Sequence, residues 1–100
     1  MTVYVVAKLK IDDRETYAKY SDGFMDILTR YGGKLLSVDD GAEVIEGDWP
    51  YNRTVLLEFP DKADMQAWYN SPEYKDLVKH RYASSTAEIA LIKGWQDDEN

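Results

Sequence analysis

Residues 46–74, EGDWPYNRTVLLEFPDKADMQAWYNSPEY, decide the fold. From Arg53 to Phe59 the side chains alternate, with Val55, Leu57 and Phe59 on one face and Thr54, Leu56 and Glu58 on the other, which predicts a strand. Pro60 stops it. Asp61 then has the position of an N-cap for a helix that carries Met65 and Trp68 inward, with Tyr69 at the edge of the stripe. Asn70 breaks that helix, and Ser71-Pro72 starts another, serine as cap and proline at the first helical position, where its missing N–H costs nothing.

Working outward, Val3, Val5, Ala7, Leu9 and Ile11 share one face of a predicted strand, and Tyr4, Val6, Lys8 and Lys10 the other. Asp12 and Glu15 have capping-box spacing, so a helix is expected from there. Its inward stripe is Tyr17, Tyr20, Phe24, Ile27, Leu28 and Tyr31, and Gly32-Gly33 ends it. Gly23 sits mid-helix at a cost of about 1 kcal/mol relative to alanine, which points to a close-packed neighbour. Leu35 to Val38 and Glu43 to Ile45 read as two strand pieces split by Asp39-Asp40-Gly41; a kink in one strand is preferred here to a hairpin, which the same residues would also serve. Beyond Pro72 the stripe is Tyr74, Leu77, Val78 and Arg81, closed by an arginine where an apolar residue is expected. Residues 87–95 predict the last strand, and 96–100 an acidic tail.

The order strand, helix, strand, strand, helix, strand defines an α+β, ferredoxin-like βαββαβ domain over residues 1–95, an antiparallel sheet with helices on one face. The other face, with Tyr4, Val6, Leu56, Ala90 and Ile92, has nothing in the chain to cover it, so a homodimer through this open sheet face is expected. Nineteen acidic against twelve basic side chains, a net charge of −7, disfavour nucleic acid and anionic membrane surfaces as partners. With no cysteine there are no disulfides or thiolate metal sites, and a reducing cytoplasmic location fits. The first ten residues, MTVYVVAKLK, suit neither a leader nor the ~20 apolar residues of a membrane span.

Gly32-Gly33, Glu46-Gly47-Asp48, Arg53, Glu58-Phe59-Pro60, Trp68-Tyr69, Ser71-Pro72-Glu73-Tyr74 and Arg81 together resemble the signature of the domain-of-unknown-function family DUF1330, within the dimeric α+β barrel proteins. The resemblance spans nearly the whole chain and is most specific from Trp68 to Tyr74. It implies fold and dimer rather than an activity; the wider group includes cofactor-free monooxygenases, haem-degrading enzymes and isomerases.

The candidate site lies in a cleft between sheet and helices. Arg53, flanked by Asp48 and Glu58, and Arg81 would fork onto the carboxylate of a small anionic or aromatic ligand, with Trp68, Tyr74 and Tyr20 as walls. Glu58 and Arg81 are the candidate catalytic pair, Glu58 as a base if burial raises its pKa. The structural alternative comes first for both arginines: pairing with Glu46, Asp48, Glu58 or Glu73. Trp68 likewise reads as core before ligand wall. His80, the single histidine, falls off the inner stripe and is expected to face water, and no cluster has metal-ligand spacing, so neither cofactor nor metal is expected. A small-molecule site with cofactor-free acid/base chemistry is the leading function, with a non-catalytic binding module or a dimeric scaffold as the alternative.

Overall fold

A computed structural model describes residues 1–95; the acidic tail expected at 96–100 lies outside the described residues. Strand β1 (Val3–Ile11) is followed by helix α1 (Arg14–Arg30), strands β2 (Lys34–Asp39) and β3 (Arg53–Phe59), helices α2 (Lys62–Tyr69) and α3 (Pro72–Ser84), and strand β4 (Ser85–Lys93). The four strands lie in the order β2-β3-β1-β4, all neighbours antiparallel. The second crossover is two helices, α2 and α3, divided at Asn70-Ser71 as the sequence reads.

Strand parity assigns the faces. Val3 opposes Phe59, Val5 opposes Leu57 and Leu91, and Ala7 opposes Val55 and Ile89; this set meets the helices. Val3, Val5, Leu9, Leu28, Leu57, Phe59, Trp68 and Tyr74 are all buried in one core. Burying such side chains stabilises by about 1.5–3 kcal/mol each.

Four local expectations shift. The N-cap of α1 is Asp13, not Asp12: its carboxylate accepts from the Thr16 amide at 3.1 Å and the Thr16 hydroxyl at 2.7 Å, while the Asp12 amide already donates to the Ser84 carbonyl. Residues 43–45 are not a strand, neither kinked nor in a hairpin. The interruption in β2 is a bulge between Leu35 and Ser37, and residues 40–52 form a loop whose end is fastened to β1 by Asn52. There the Ile11 amide donates to Asn52 Oδ1 at 2.7 Å and Asn52 Nδ2 donates to the Ile11 carbonyl at 2.8 Å, replacing the ladder. Finally, β4 begins at Ser85 rather than residue 87. The Ser84 and Ser85 hydroxyls donate to the carbonyls of His80 and Arg81 and so end α3 with no glycine and no loop.

The glycine expectations survive contact with geometry. Gly32 has φ +81°, and the Gly32 and Gly33 amides donate to the Thr29 and Leu28 carbonyls in the six-to-one, five-to-two pattern of a helix end. A methyl group on Gly23 would come within 2.9 Å of Leu77, which lets α1 and α3 approach closely.

Candidate functional site

The break between α2 and α3 builds the site. The Ser71 hydroxyl donates to the Trp68 carbonyl at 2.8 Å and accepts from the Tyr74 amide at 3.1 Å, so one buried side chain both ends α2 and starts α3. The turn it enforces brings the Trp68 and Tyr74 rings to 4.4 Å between centroids. From α1, Tyr20 and Phe24 complete the cluster, with Phe24 edge-on to Trp68 at 6.1 Å. Between these rings and the sheet residues Val5, Leu57 and Ile89 lies a cavity with about 420 Å³ of space between atoms, its mouth included. The enclosed interior is only about 40 Å³, so the walls are close together.

Arg81 lines this cavity and is 5% exposed. Its guanidinium carbon is 5.9 Å from the Tyr20 ring and 5.1 Å from that of Tyr82. No carboxylate of the described residues is within ion-pairing distance of it, and its Nε–H has no acceptor. Trp68, 3% exposed, is in the same condition: its indole N–H is buried without an acceptor. The expectation that Arg81 pairs with an acidic side chain finds no partner among Glu46, Asp48, Glu58 or Glu73. Glu73 instead accepts from Arg30 and from the Tyr31 hydroxyl, on the outside of α3.

The Tyr20 and Tyr74 hydroxyls meet at 2.6 Å inside the cavity. Burial raises the pKa of Tyr20 well above its ordinary value, and the adjoining Tyr74 raises it further. Burial also raises that of Tyr74, with Tyr20 and Arg81 pulling the other way. Both are therefore neutral phenols at physiological pH. One hydrogen joins the pair, leaving the other hydroxyl free to donate outward.

The remaining candidates are placed elsewhere. Glu58 is on the open face of the sheet, opposite Tyr4 and Lys34, with Lys34 Nζ at 3.9 Å. Strand parity sends it away from Leu57 and Phe59, so it and Arg81 do not share a cleft. Asp48 is exposed in the loop and does not reach Arg53. Arg53 is forked onto Asp40, Nε to Oδ1 at 2.6 Å and an NH2 donor to Oδ2 at 2.9 Å, and lies 5.2 Å from the Tyr17 ring. Arg14 adds a third bond to Asp40 at 3.0 Å. His80 is half-buried and does not line the cavity.

Asp40 was legible only as a turn residue, because its two partners come from distant parts of the chain. Hydrogen bonding from Arg53, with its charge and Arg14 adding to the effect, lowers the Asp40 carboxyl from 3.8 to about 2. A depressed carboxylate contributes stability that is present above pH 3.8 and lost as pH falls through about 2. With the Asp40 side chain 45% exposed, solvent screens most of this, and Asp40→Asn should cost at most about 1 kcal/mol at neutral pH. Denaturant titrations of the two proteins should converge between about pH 4 and pH 2; a difference that persists below that range would exclude the carboxylate as its source.

Among the described residues no group of His, Asp and Glu side chains is disposed to hold a metal ion, and no helix is long and apolar enough to cross a membrane. The architecture is of the ferredoxin-like fold class. Within that class, the chain belongs to the family described as Domain of unknown function (DUF1330), whose model matches residues 2–95. The fold is similar to that of RPA0582, a protein of unknown function from Rhodopseudomonas palustris (TM-score 0.82, 18% identity, covering 95% of this chain and 83% of that one). A dimeric ferredoxin-like protein of unknown function from Jannaschia sp. CCS1 is also similar (0.72, 15%, 94% and 100%). So is SnoaB, a cofactor-independent oxygenase from Streptomyces nogalater (0.69, 15%, 95% and 94%). At these identities the likeness is one of fold. No curated protein matches the sequence.

Proposed function

We propose that this protein binds a small organic anion with an aromatic or otherwise flat apolar body in the cavity between sheet and helices. The observation that carries the reading is Arg81, a buried guanidinium that faces aromatic rings and meets no carboxylate of the described residues. An unpaired buried charge is costly, and a bound carboxylate would relieve that cost through charge-assisted hydrogen bonds. Tyr20 and Tyr74 would supply a further donor, and Trp68 a wall. Arg53 and Asp48 stand outside this proposal, since Arg53 is already neutralised by Asp40. Thermal unfolding in the presence of benzoate tests it: Tm should climb with the logarithm of concentration in the wild type and stay flat in Arg81→Met. An equal rise in both would remove Arg81 from the site.

A second reading, turnover without a cofactor, is favoured by the tyrosine pair, whose free hydroxyl can give a proton to an oxygen bound beside Arg81. Glu58, on the opposite sheet face, would have no path to that oxygen within one subunit. Conversion of a bound acid by the wild type, lost in Tyr74→Phe with affinity retained, is the result that supports turnover.

The open sheet face completes the proposal. Tyr4, Val6, Leu56, Ala90 and Ile92 share it, and Ile92 is 49% exposed. The Trp49 indole is held over one end of this face by a 3.1 Å bond to the Thr54 hydroxyl, with Lys8 5.2 Å from its ring. A homodimer across this face would cover it. Sedimentation at micromolar concentration should give a dimer for the wild type and a folded monomer for Ile92→Asp; a wild-type monomer would overturn the interface.

A further inference from the structure

Two residues that line one cavity, on different helices, each carry a buried donor with no acceptor among the described residues: Trp68 Nε1–H on α2 and Arg81 Nε–H on α3. Buried donors in folded proteins are nearly always satisfied, so each orphan marks a place where an acceptor belongs. The cavity's own acceptors are few. Its lining is Val, Ala, Leu, Ile, Phe, Trp, Tyr and Arg, and the only lining side-chain oxygens are those of tyrosines, with Tyr20 and Tyr74 bonded to each other.

Charge is counted the same way. Among the described residues, Arg81 is the single cation lining the cavity and no carboxylate lines it. The other candidate cation, Arg53, lines an adjoining groove that shares Tyr17, Tyr20, Phe24 and Val55 with the cavity, and is already forked onto Asp40. A ligand with one negative charge leaves the cavity neutral. A second negative charge would be buried among rings with no partner, at a heavy desolvation cost.

Resting on the reading proposed above, we infer that the ligand is a single-ring monocarboxylate bearing a second, neutral acceptor, its carboxylate on Arg81 and the tyrosine pair and its neutral acceptor on the Trp68 indole N–H. The narrow interior excludes more than one ring: at about 40 Å³ it is smaller than the roughly 150 Å³ apolar cavity that takes benzene, so even a single ring must extend into the mouth, with which the space between atoms reaches about 420 Å³. A fused polycyclic acid would have to displace the core rings. The neutral acceptor is a carbonyl, hydroxyl, ether or ring nitrogen, because an indole N–H pairs with any of these.

Isothermal titration of the wild-type protein with benzoate, benzamide, phthalate, the three hydroxybenzoates and the three pyridine carboxylates tests the assignment. Benzoate should bind, benzamide and phthalate much more weakly, and at least one acceptor-bearing monocarboxylate about fivefold to tenfold tighter than benzoate, the worth of one added neutral hydrogen bond. Trp68→Phe should erase that gain, so that within this variant the acceptor-bearing acid binds no tighter than benzoate. In the wild type, the indole N–H resonance that is missing in Trp68→Phe should move downfield with the acceptor-bearing acid and not with benzoate. If Trp68→Phe does not fold, a separately assigned Trp68 resonance decides alone. Phthalate binding as tightly as benzoate would overturn the charge assignment, and a gain that survives Trp68→Phe, or an unmoved indole resonance, would overturn the acceptor assignment; both leave the anion site intact. Failure of every acid to bind would instead sink the anion site itself.

Discussion

Arg81→Met should leave the protein folded and as stable as the wild type, or more stable by about 1–3 kcal/mol, while abolishing stabilisation by carboxylates. The reasoning starts from what surrounds the guanidinium. It is 5% exposed, and what it meets is the face of Tyr20, the ring of Tyr82 and the Tyr74 hydroxyl. Burial works against its charge, but the Tyr74 and Tyr20 oxygens together outweigh it, and its pKa is raised above the ordinary value. Cation–π contacts contribute about 0.5–2 kcal/mol each way between exposed and desolvated geometries, less than burying an unpaired ion costs. Methionine follows the arginine chain only about as far as Nε, keeps the stripe with Tyr74 and Val78 apolar, and brings no charge. Were Arg81 one half of a structural ion pair, the same change would cost about 3–5 kcal/mol. The two outcomes differ in sign, so the denaturant midpoint of unfolding separates them. A loss above about 2 kcal/mol would mean that a structural partner holds Arg81 after all.

For Trp68→Ala the expected result is a loss of about 3–5 kcal/mol, a large part of the roughly 5–15 kcal/mol that holds a small domain together. The indole is packed against Phe59 at 5.4 Å, Tyr69 at 5.8 Å, Tyr74 at 4.4 Å and Phe24 at 6.1 Å between ring centroids, and these neighbours belong to four elements that cannot all close on the gap. Trp68→Phe should cost less than about 1.5 kcal/mol, because the volume lost is partly offset by removing an N–H that has no acceptor in the free protein. Thermal unfolding of the pair checks this: the alanine variant should melt at least about 12 °C below the wild type. Similar losses for both substitutions would show that the indole edge, not the ring volume, is what the core needs. Trp68 is thus core and cavity wall together, where the sequence offered the two as alternatives.

The fold was legible because alternation and helical spacing are local. Val3 to Ile11, Arg53 to Phe59, and the stripe from Tyr17 to Leu28 each announce one apolar face, and any fold that buries all three must layer helices on one side of a sheet. Misreadings fell where local signals compete. Residues 43–45 have strand composition, yet Asn52 and not those residues completes the pairing to β1. Asp12 has cap spacing, yet the helix starts one residue later, where the Asp13 carboxylate accepts from the Thr16 amide. The site was legible in part. Arg81 stood out as a charge in an apolar stripe, and Trp68, Tyr74 and Tyr20 as rings at helical spacing; all four line one cavity. The partners of the arginines were not legible, because Coulomb and hydrogen-bond energies depend on separations of a few ångströms between residues far apart in sequence.

What the chain by itself determined is therefore its layers: which side chains turn to water, which turn inward, and where helices start and stop, all set by backbone sterics and periodic burial within a few residues. Only the tertiary structure decided which charges meet. It gave Arg53 to Asp40, thirteen positions away in sequence, and left Arg81 and Trp68, which line a common cavity, each with a buried donor that meets no acceptor among the described residues. The reason is that burial is a property of each residue's pattern, while satisfaction of a donor is a property of a pair brought together only when the layers close.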